Sequence, residues 1–465
     1  MASKPNEPVA ILSLRRLSLS GPEPQQQKEP KTFTVEDAVE TIGFGLFHIA
    51  LFLIMGSTGV VEAMEIMLIA VVSPVIRCEW HLENWQVAFV TTVSTCVLCR
   101  AGAAEGLSSP FCTLGMATEK QIPNLAGWQG CHVAGHCFTE ITYLTKEGLT
   151  QLSPQVFWLA GSLLIIGLAS VVIPTIGWRW LIRIASIPGI ILILAFKFIP
   201  ESARFNVSTG NTQAALSTLQ HIAHINRSVL PEGQLVEPVL EKRGRFADLL
   251  DAKYLRTTLQ IWVIWLGISF AYYGVILASA ELLERDLVCG AKSESQAVHG
   301  ADSEGSQSPC YCHLFAPSDY RTMIISTVGE IALNPLNILG INFLGRRLSL
   351  SITMGCTALF FLLLNICTSS SGLIGFLFML RALVAANFNT IYIYTAEVYP
   401  TTIRALGMGT SGSLCRIGAM VAPFISQVLM NASFLGALCL FSSVCVVCAI
   451  SAFTLPIETK GRALQ

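Results

Sequence analysis

The chain has 465 residues, 52% of them hydrophobic and only 13% charged, with a net charge of −1. Soluble domains carry about 25% charged residues, so this composition excludes a water-exposed globular surface. No basic stretch is interleaved with aromatics, no Gly-rich phosphate loop is present and no catalytic set stands out, which leaves nucleic-acid binding, ATP drive and enzymatic activity unsupported and implies no cofactor.

Residues 1–45 lack a continuous apolar core, so a cleavable signal peptide is not expected and the first span inserts the chain. Arg15-Arg16-Leu17-Ser18 in this stretch resembles a basophilic kinase site, with Ser18 as the candidate phosphosite and a solvated tail as the plainer alternative. Nine apolar blocks follow, at 46–76, 156–176, 180–199, 258–280, 322–344, 348–367, 372–394, 405–430 and 432–455. Each reaches the roughly 20 residues that a helix needs to cross a hydrocarbon core of about 30 Å. Unpaired backbone groups are not tolerated in lipid, so these blocks are expected to be helices in a bundle. A tenth block, 86–99, is short.

Charge orients the bundle, because Lys and Arg collect in cytoplasmic loops. Residues 1–45 hold five (Lys4, Arg15, Arg16, Lys28, Lys31) and the polar connection 200–256 holds seven, with a helix expected over Thr212–Ile225. Segment 281–320 has only Arg285 and Lys292 against seven acids, including Glu281 and Glu284, and reads as exterior or lumenal. Both termini then lie in the cytosol, in a plasma or a vesicle membrane, and the number of crossings is even. Block 86–99 is the favoured tenth crossing, a stretch within 100–152 the alternative. The domain reading is a tail (1–45), a four-span first half (46–199) with an irregular 100–152, a cytosolic connection (200–256) and a six-span second half (257–465).

A charge at mid-membrane costs roughly 2.5–3.5 kcal/mol on insertion scales and is usually paired or functional. Glu62 and Glu65 share one face of the first span, and Glu330, Arg381 and Arg416 stand inside later spans. The acids read either as a proton-coupling or cation-binding cluster, since a desolvated carboxylate can exchange a proton, or as plain ion-pair partners of Arg381 or Arg416. The two arginines bind an anion or hold the bundle together. Tyr272 and Tyr273 belong to the second half's first span and read as cavity lining or as packing. Asn334, Asn337, Asn387, Asn389 and Tyr392 offer interhelical hydrogen bonds, worth about 0.6 kcal/mol each on average. Pro335 either breaks its helix to free carbonyls for a ligand or is a packing kink.

Short loop motifs recur in the two halves: Pro200-Glu201-Ser202-Ala203-Arg204, Asn342-Phe343-Leu344-Gly345-Arg346-Arg347, Glu397-Val398-Tyr399-Pro400-Thr401-Thr402-Ile403-Arg404 and Pro456-Ile457-Glu458-Thr459-Lys460-Gly461-Arg462. Together these resemble the loop signatures of the major facilitator superfamily, in its sugar-porter and organic-ion-transporter-like branch. The text around Val60–Glu65 and Phe270–Gly274 resembles its synaptic-vesicle-protein-related group. The resemblance covers about 33–94 and 153–465. It implies an all-α membrane bundle and alternating access, with Glu201, Arg204, Gly345, Arg346, Arg347, Glu397, Arg404, Glu458 and Arg462 as gate residues that latch one conformation. Family members have twelve spans and an Asp-Arg-x-Gly-Arg loop after the second. Here 95–152 lacks that motif and any block of spanning length, so about ten spans are expected and two are missing, by a splice variant or a gene-model artefact alike. Asn342 replaces the motif's usual acid, which weakens its share of the latch.

Of the 15 cysteines, Cys289, Cys310 and Cys312 share the exterior segment and allow a disulfide there. Cys96, Cys99, Cys131, His132, His136 and Cys137 imitate a metal set, but their spacing fits no common zinc pattern, and no metal is expected. The expected function is a secondary transporter of a small organic solute or ion, with protons as the candidate coupling ion, as in a symporter. The alternative is a transporter-shaped protein or isoform without transport, acting in binding or regulation.

Overall fold

The computed structural model describes residues 31–103, 147–196, 199–200, 203–208, 210–236, 245–284, 315–366 and 369–460. They fall into two compact units. The smaller comprises 31–43 and 203–236 among the described residues. In it β1 (Thr32–Phe33) pairs in parallel with β2 (Gln234–Leu235). The helix α1 (Val35–Ile42) starts at a capping box in which the Thr34 hydroxyl and the Asp37 carboxylate each bond the other's backbone N–H. Phe33, Val35, Ala38 and Ile42 pack against Ala215, Leu219 and Ala223, which a helical period brings to one face of Thr212–Asn226.

The larger unit is the helical bundle. Its long helices are α2 (Leu46–Trp80), α3 (Asn84–Ala103), α4 (Glu147–Ile176) and α5 (Trp178–Phe196) in the first half. With α6 (Ala203–Ser208) and α7 (Thr212–Asn226) in the small unit and a short α8 (Phe246–Leu249), the second half continues with α9 (Leu255–Glu284), α10 (Pro317–Ala332), α11 (Asn334–Leu344), α12 (Arg346–Leu363), α13 (Ser370–Val398), α14 (Thr401–Pro423), a π-helical turn at Phe424–Leu429, α15 (Met430–Ala432) and α16 (Phe434–Phe453). Among the described residues, nine helices are long and apolar enough to cross a membrane, and they overlie the nine apolar blocks. The tenth block is also helical. At 20 residues α3 is about 30 Å long, and Thr92 on it donates to the Met420 carbonyl of α14 at 3.1 Å.

Helix directions follow from pairs of neighbours. Phe157 packs on Phe52 and the Trp178 indole donates to Glu79, so α4 runs alongside α2 in the same direction and α5 returns. In the second half Trp262 meets Thr410, and Ser269 donates to the Cys415 carbonyl at 2.5 Å, which sets α9 and α14 parallel. Small residues permit these approaches. A Cβ on Gly161 would sit 2.2 Å from the Val60 carbonyl oxygen, and one on Gly418 would sit 2.3 Å from that of Leu266. The span 317–344 is broken at Leu333, with Pro335 in the first turn of α11. A proline cannot extend the α10 ladder, since it lacks the N–H and its ring clashes with the preceding turn. Of the two readings of Pro335, a break in the helix or a packing kink, the helix boundary at Leu333 matches the break.

Candidate functional site

Among the described residues, two ion pairs join residues from the middle of the spans. Arg381 on α13 donates to Glu330 on α10 through Nε (3.0 Å) and Nη2 (2.6 Å), and the two side chains are 2% and 7% exposed. Its Nη1 is buried with no partner among the described residues. The Met67 sulfur of α2 lies 3.8 Å from Nη2, so this pair of second-half residues touches the first half. The Tyr272 hydroxyl of α9 sits at the limit of hydrogen-bond reach from Glu330 (3.5 Å) and accepts from the Trp158 indole of α4 at 2.6 Å. The second pair joins the halves directly: Arg416 on α14 donates to Glu62 on α2 at 2.7 Å.

Glu65, one turn further along α2, is half-buried and faces the charges of Glu62 and Arg416. Tyr273 and Tyr392 also lie within electrostatic reach of Arg416 and Glu62. A run of rings links the two pairs. Trp158 lies against Tyr272, Tyr272 packs edge-on to Phe388 (5.3 Å), and Trp265 packs edge-on to Tyr392 (4.4 Å).

The amides fall nearby. Asn334, at the break between α10 and α11, bonds Gln155 of α4 and accepts from Asn389 at 2.9 Å. Asn337 donates to Thr390 and the Ala386 carbonyl, both at 3.3 Å, and Asn387 to Thr357 at 2.9 Å. The last two sets stay within the second half.

The loop motifs gather at one end of the bundle. Arg346 donates to Glu397 through Nε and Nη2 (2.9 and 2.8 Å), and the Glu458 carboxylate accepts from the backbone N–H groups of Arg346 and Arg347. These are free donors at the start of α12, where an acid is favoured by the helix dipole. Gly345 has φ +86, a backbone that favours glycine, and a Cβ there would lie 3.0–3.1 Å from the Glu458 carboxyl, which would have to shift by a few tenths of an ångström. Arg347 donates to the Phe453 carbonyl at 2.7 Å, Lys460 to that of Phe343 at 2.9 Å, and Arg404 to that of Tyr399 at 3.3 Å. Asn342 is exposed. Among the described residues, the bonds named here are made within the second half.

Sequence reasoning passed over the opposite end. There Arg77 of α2 grips Glu281 of α9 at 3.2 and 2.8 Å, and Asn431 of α15 donates to the same carboxylate at 3.2 Å. Charge counting places Glu281 in the exterior segment, whereas α9 runs on to Glu284 and Glu281 is 3% exposed. A signal was available: Arg77 and Glu281 each close the first span of their own half, one residue beyond the apolar blocks.

Ser18, Glu201, Arg462, Cys289, Cys310, Cys312 and the set at 131–137 lie outside the described residues, as do the side chains of Arg204, Cys96 and Cys99. Cys78, at the far end of α2, is disulfide-bonded. Among the described residues no group of three His, Cys, Asp or Glu side chains could hold a metal ion.

Comparison with known proteins places this architecture. The family model "Sugar (and other) transporter" matches residues 130–276 and 314–465. The chain belongs to the sugar (and other) transporter family. Within it the chain is 77% identical to "Putative transporter SVOPL" of Homo sapiens, covering 100% of this chain and 99% of that protein. It is 48% identical to the protein of the same name in Danio rerio (95% and 92% covered) and 34% identical to "Synaptic vesicle 2-related protein" of Rattus norvegicus (93% and 82%). A solved D-xylose-proton symporter shares the fold, with TM-score 0.53 at 15% identity over 90% of this chain and 99% of that one. The family match starts at residue 130, inside the stretch where recognisable motifs stop. The alignment to the human relative spans 490 positions against 465 residues here, a difference of 25, so that relative carries residues this chain lacks. As a family member the chain is a multi-pass, all-α transporter of the major-facilitator type rather than an enzyme.

Proposed function

We propose that the chain is a secondary transporter of a small organic solute, working by alternating access, with both ends of the polypeptide in the cytosol. The observation that carries this reading is the Glu62–Arg416 pair. It joins a first-half helix to a second-half helix at span depth, beside Tyr273 and Tyr392. A pair that bridges two bundles must part when they rock, so its strength is coupled to the cycle. Glu62 and Glu65 are the proton-coupling residues in this reading. Glu330, Arg381, Tyr272 and Asn387 stabilise the wall of the passage, and Arg381 keeps one donor free for a solute oxygen.

The end clusters are the gates. Arg77–Glu281–Asn431 closes one end across the two halves. Gly345, Arg346, Arg347, Glu397, Arg404 and Glu458 stiffen the second half at the other, so that it moves as a block.

The test is uptake into vesicles carrying the purified full chain, driven by a solute gradient with and without a proton gradient. Uptake that a Glu62→Gln variant abolishes supports the reading. A second reading, a binding or regulatory protein without transport, is favoured by the first half, where four long helices are described against a second half with six spans. Solute binding with no flux in either direction selects it.

A further inference from the structure

Of the nine spans, α5 is the least covered by protein: among the described residues only 6% of its apolar window is buried. Yet Arg183 stands in its second turn, exposed, and among the described residues no acid pairs with it. Arg179, one turn earlier, is by contrast held by Glu79 at 2.5 Å. A cation on a lipid-facing surface is costly unless its head reaches the interface or meets an anion.

The Arg183 guanidinium lies over the Trp180 ring, 4.8 Å from its centroid. Helix side chains lean toward the N-terminus, so this head points back toward the end of the span, where the headgroups lie. Trp180 is 49% exposed, and among the described residues its indole N–H makes no hydrogen bond. Guanidinium and indole are donors only, so together they call for an occupant rich in acceptors. The unpaired charge calls for an anion. Beyond them Ile187, Ile190, Ile191 and Leu194 follow at helical spacing, each more than half exposed. The 11 residues from Arg183 to Leu194 rise about 17 Å, close to half of a hydrocarbon core of about 30 Å. An acceptor-rich anionic head above an apolar stripe one leaflet deep matches the outline of a phospholipid.

We propose that this face of α5 holds an anionic phospholipid, with its phosphate on Arg183 and the Trp180 indole N–H and its acyl chain along the isoleucine stripe. The site is independent of the transport reading above.

The experiment is native mass spectrometry of the purified full chain, counting lipids retained from micelles supplied with phosphatidylglycerol or with diacylglycerol of the same acyl chains. Phosphatidylglycerol should be retained about tenfold better, the effect of a charge-assisted bond to phosphate. Arg183→Gln should abolish the preference, Arg183→Lys should restore part of it, and Trp180→Phe, which keeps the ring and loses the N–H, should weaken it. Arg227→Gln, in the small unit, should leave it unchanged. Equal retention of diacylglycerol, a preference that survives Arg183→Gln, or an equal loss in Arg227→Gln overturns the proposal. So does displacement of the lipid by inorganic phosphate, which marks a site for the free ion, or by an equal amount of palmitate, which marks a carboxylate site. If Arg183→Gln does not fold, the ranking in the unaltered chain together with Trp180→Phe decides.

Discussion

Arg77 and Glu281, which each end the first span of their own half of the bundle, meet in a two-nitrogen ion pair at 3.2 and 2.8 Å. Arg256 of the same α9 donates to the Thr454 carbonyl at the other end, and the 25 residues from Arg256 to Glu281 span about 38 Å of helix. The cross-half clasp and the second-half cluster of Arg346, Glu397 and Glu458 therefore occupy opposite ends. Neutralising one partner of a buried pair strands the other charge, at a cost of about 3–5 kcal/mol, and here that cost falls on one closed state. Glu281→Gln should raise the labelling rate of a cysteine introduced at Ala278, one turn below, by an impermeant maleimide, and the swap Arg77→Glu with Glu281→Arg should bring it back down. Labelling unchanged in Glu281→Gln would show that the pair does not hold the bundle shut.

Arg381 holds Glu330 through two nitrogens of one guanidinium, a geometry that lysine cannot copy. Arg381→Lys should therefore recover little of the roughly 3–5 kcal/mol lost in Arg381→Met. Tyr272→Phe should cost less, about 1–3 kcal/mol, chiefly by orphaning the Trp158 N–H. Thermal unfolding of the three purified variants gives the order. A lysine variant as stable as the parent contradicts the two-point geometry.

Gly345 carries φ +86 against the Glu458 carboxyl. The left-handed backbone alone costs an ordinary residue about 1–2 kcal/mol. Gly345→Ala should thus lower the midpoint of thermal unfolding, and combining it with Glu458→Gln should cost less than the sum of the two changes, because both disturb one contact. Strict additivity would separate them.

Tyr399, just outside the spans, donates its hydroxyl to Thr258 at 2.9 Å, and burial pushes its pKa up to about 12 from an ordinary value near 10. The folded chain thus favours the neutral phenol. That contribution is intact below about pH 10 and is lost as pH rises through the folded value of about 12. Alkaline unfolding should show a component in this window that Tyr399→Phe removes. An identical pH profile in the variant contradicts it.

Much was legible in the chain. The nine apolar blocks lie on the nine helices among the described residues that are long and apolar enough to cross a membrane, because the thickness of the hydrocarbon core fixes how long an apolar run must be. Pro335 marked a helix break because a proline acts on its own backbone. The five charges inside the spans were visible as misfits, since lipid penalises each wherever its partner lies.

Which charge meets which was not written in the order of residues. Glu62 lies 354 positions from Arg416, and Arg77 lies 204 from Glu281. Their pairing depends on helix directions and rotations set by close packing, such as that of Gly161 on Val60 and Gly418 on Leu266. The sequence alone therefore determined a charge-poor, membrane-spanning helical chain and the residues costly enough to matter. Only the tertiary structure decided that Glu62 and Glu330 are each met by an arginine while, among the described residues, no hydrogen bond or ion pair reaches Glu65. Solvation cost is a property of one side chain, whereas its compensation requires two side chains to occupy neighbouring points in space.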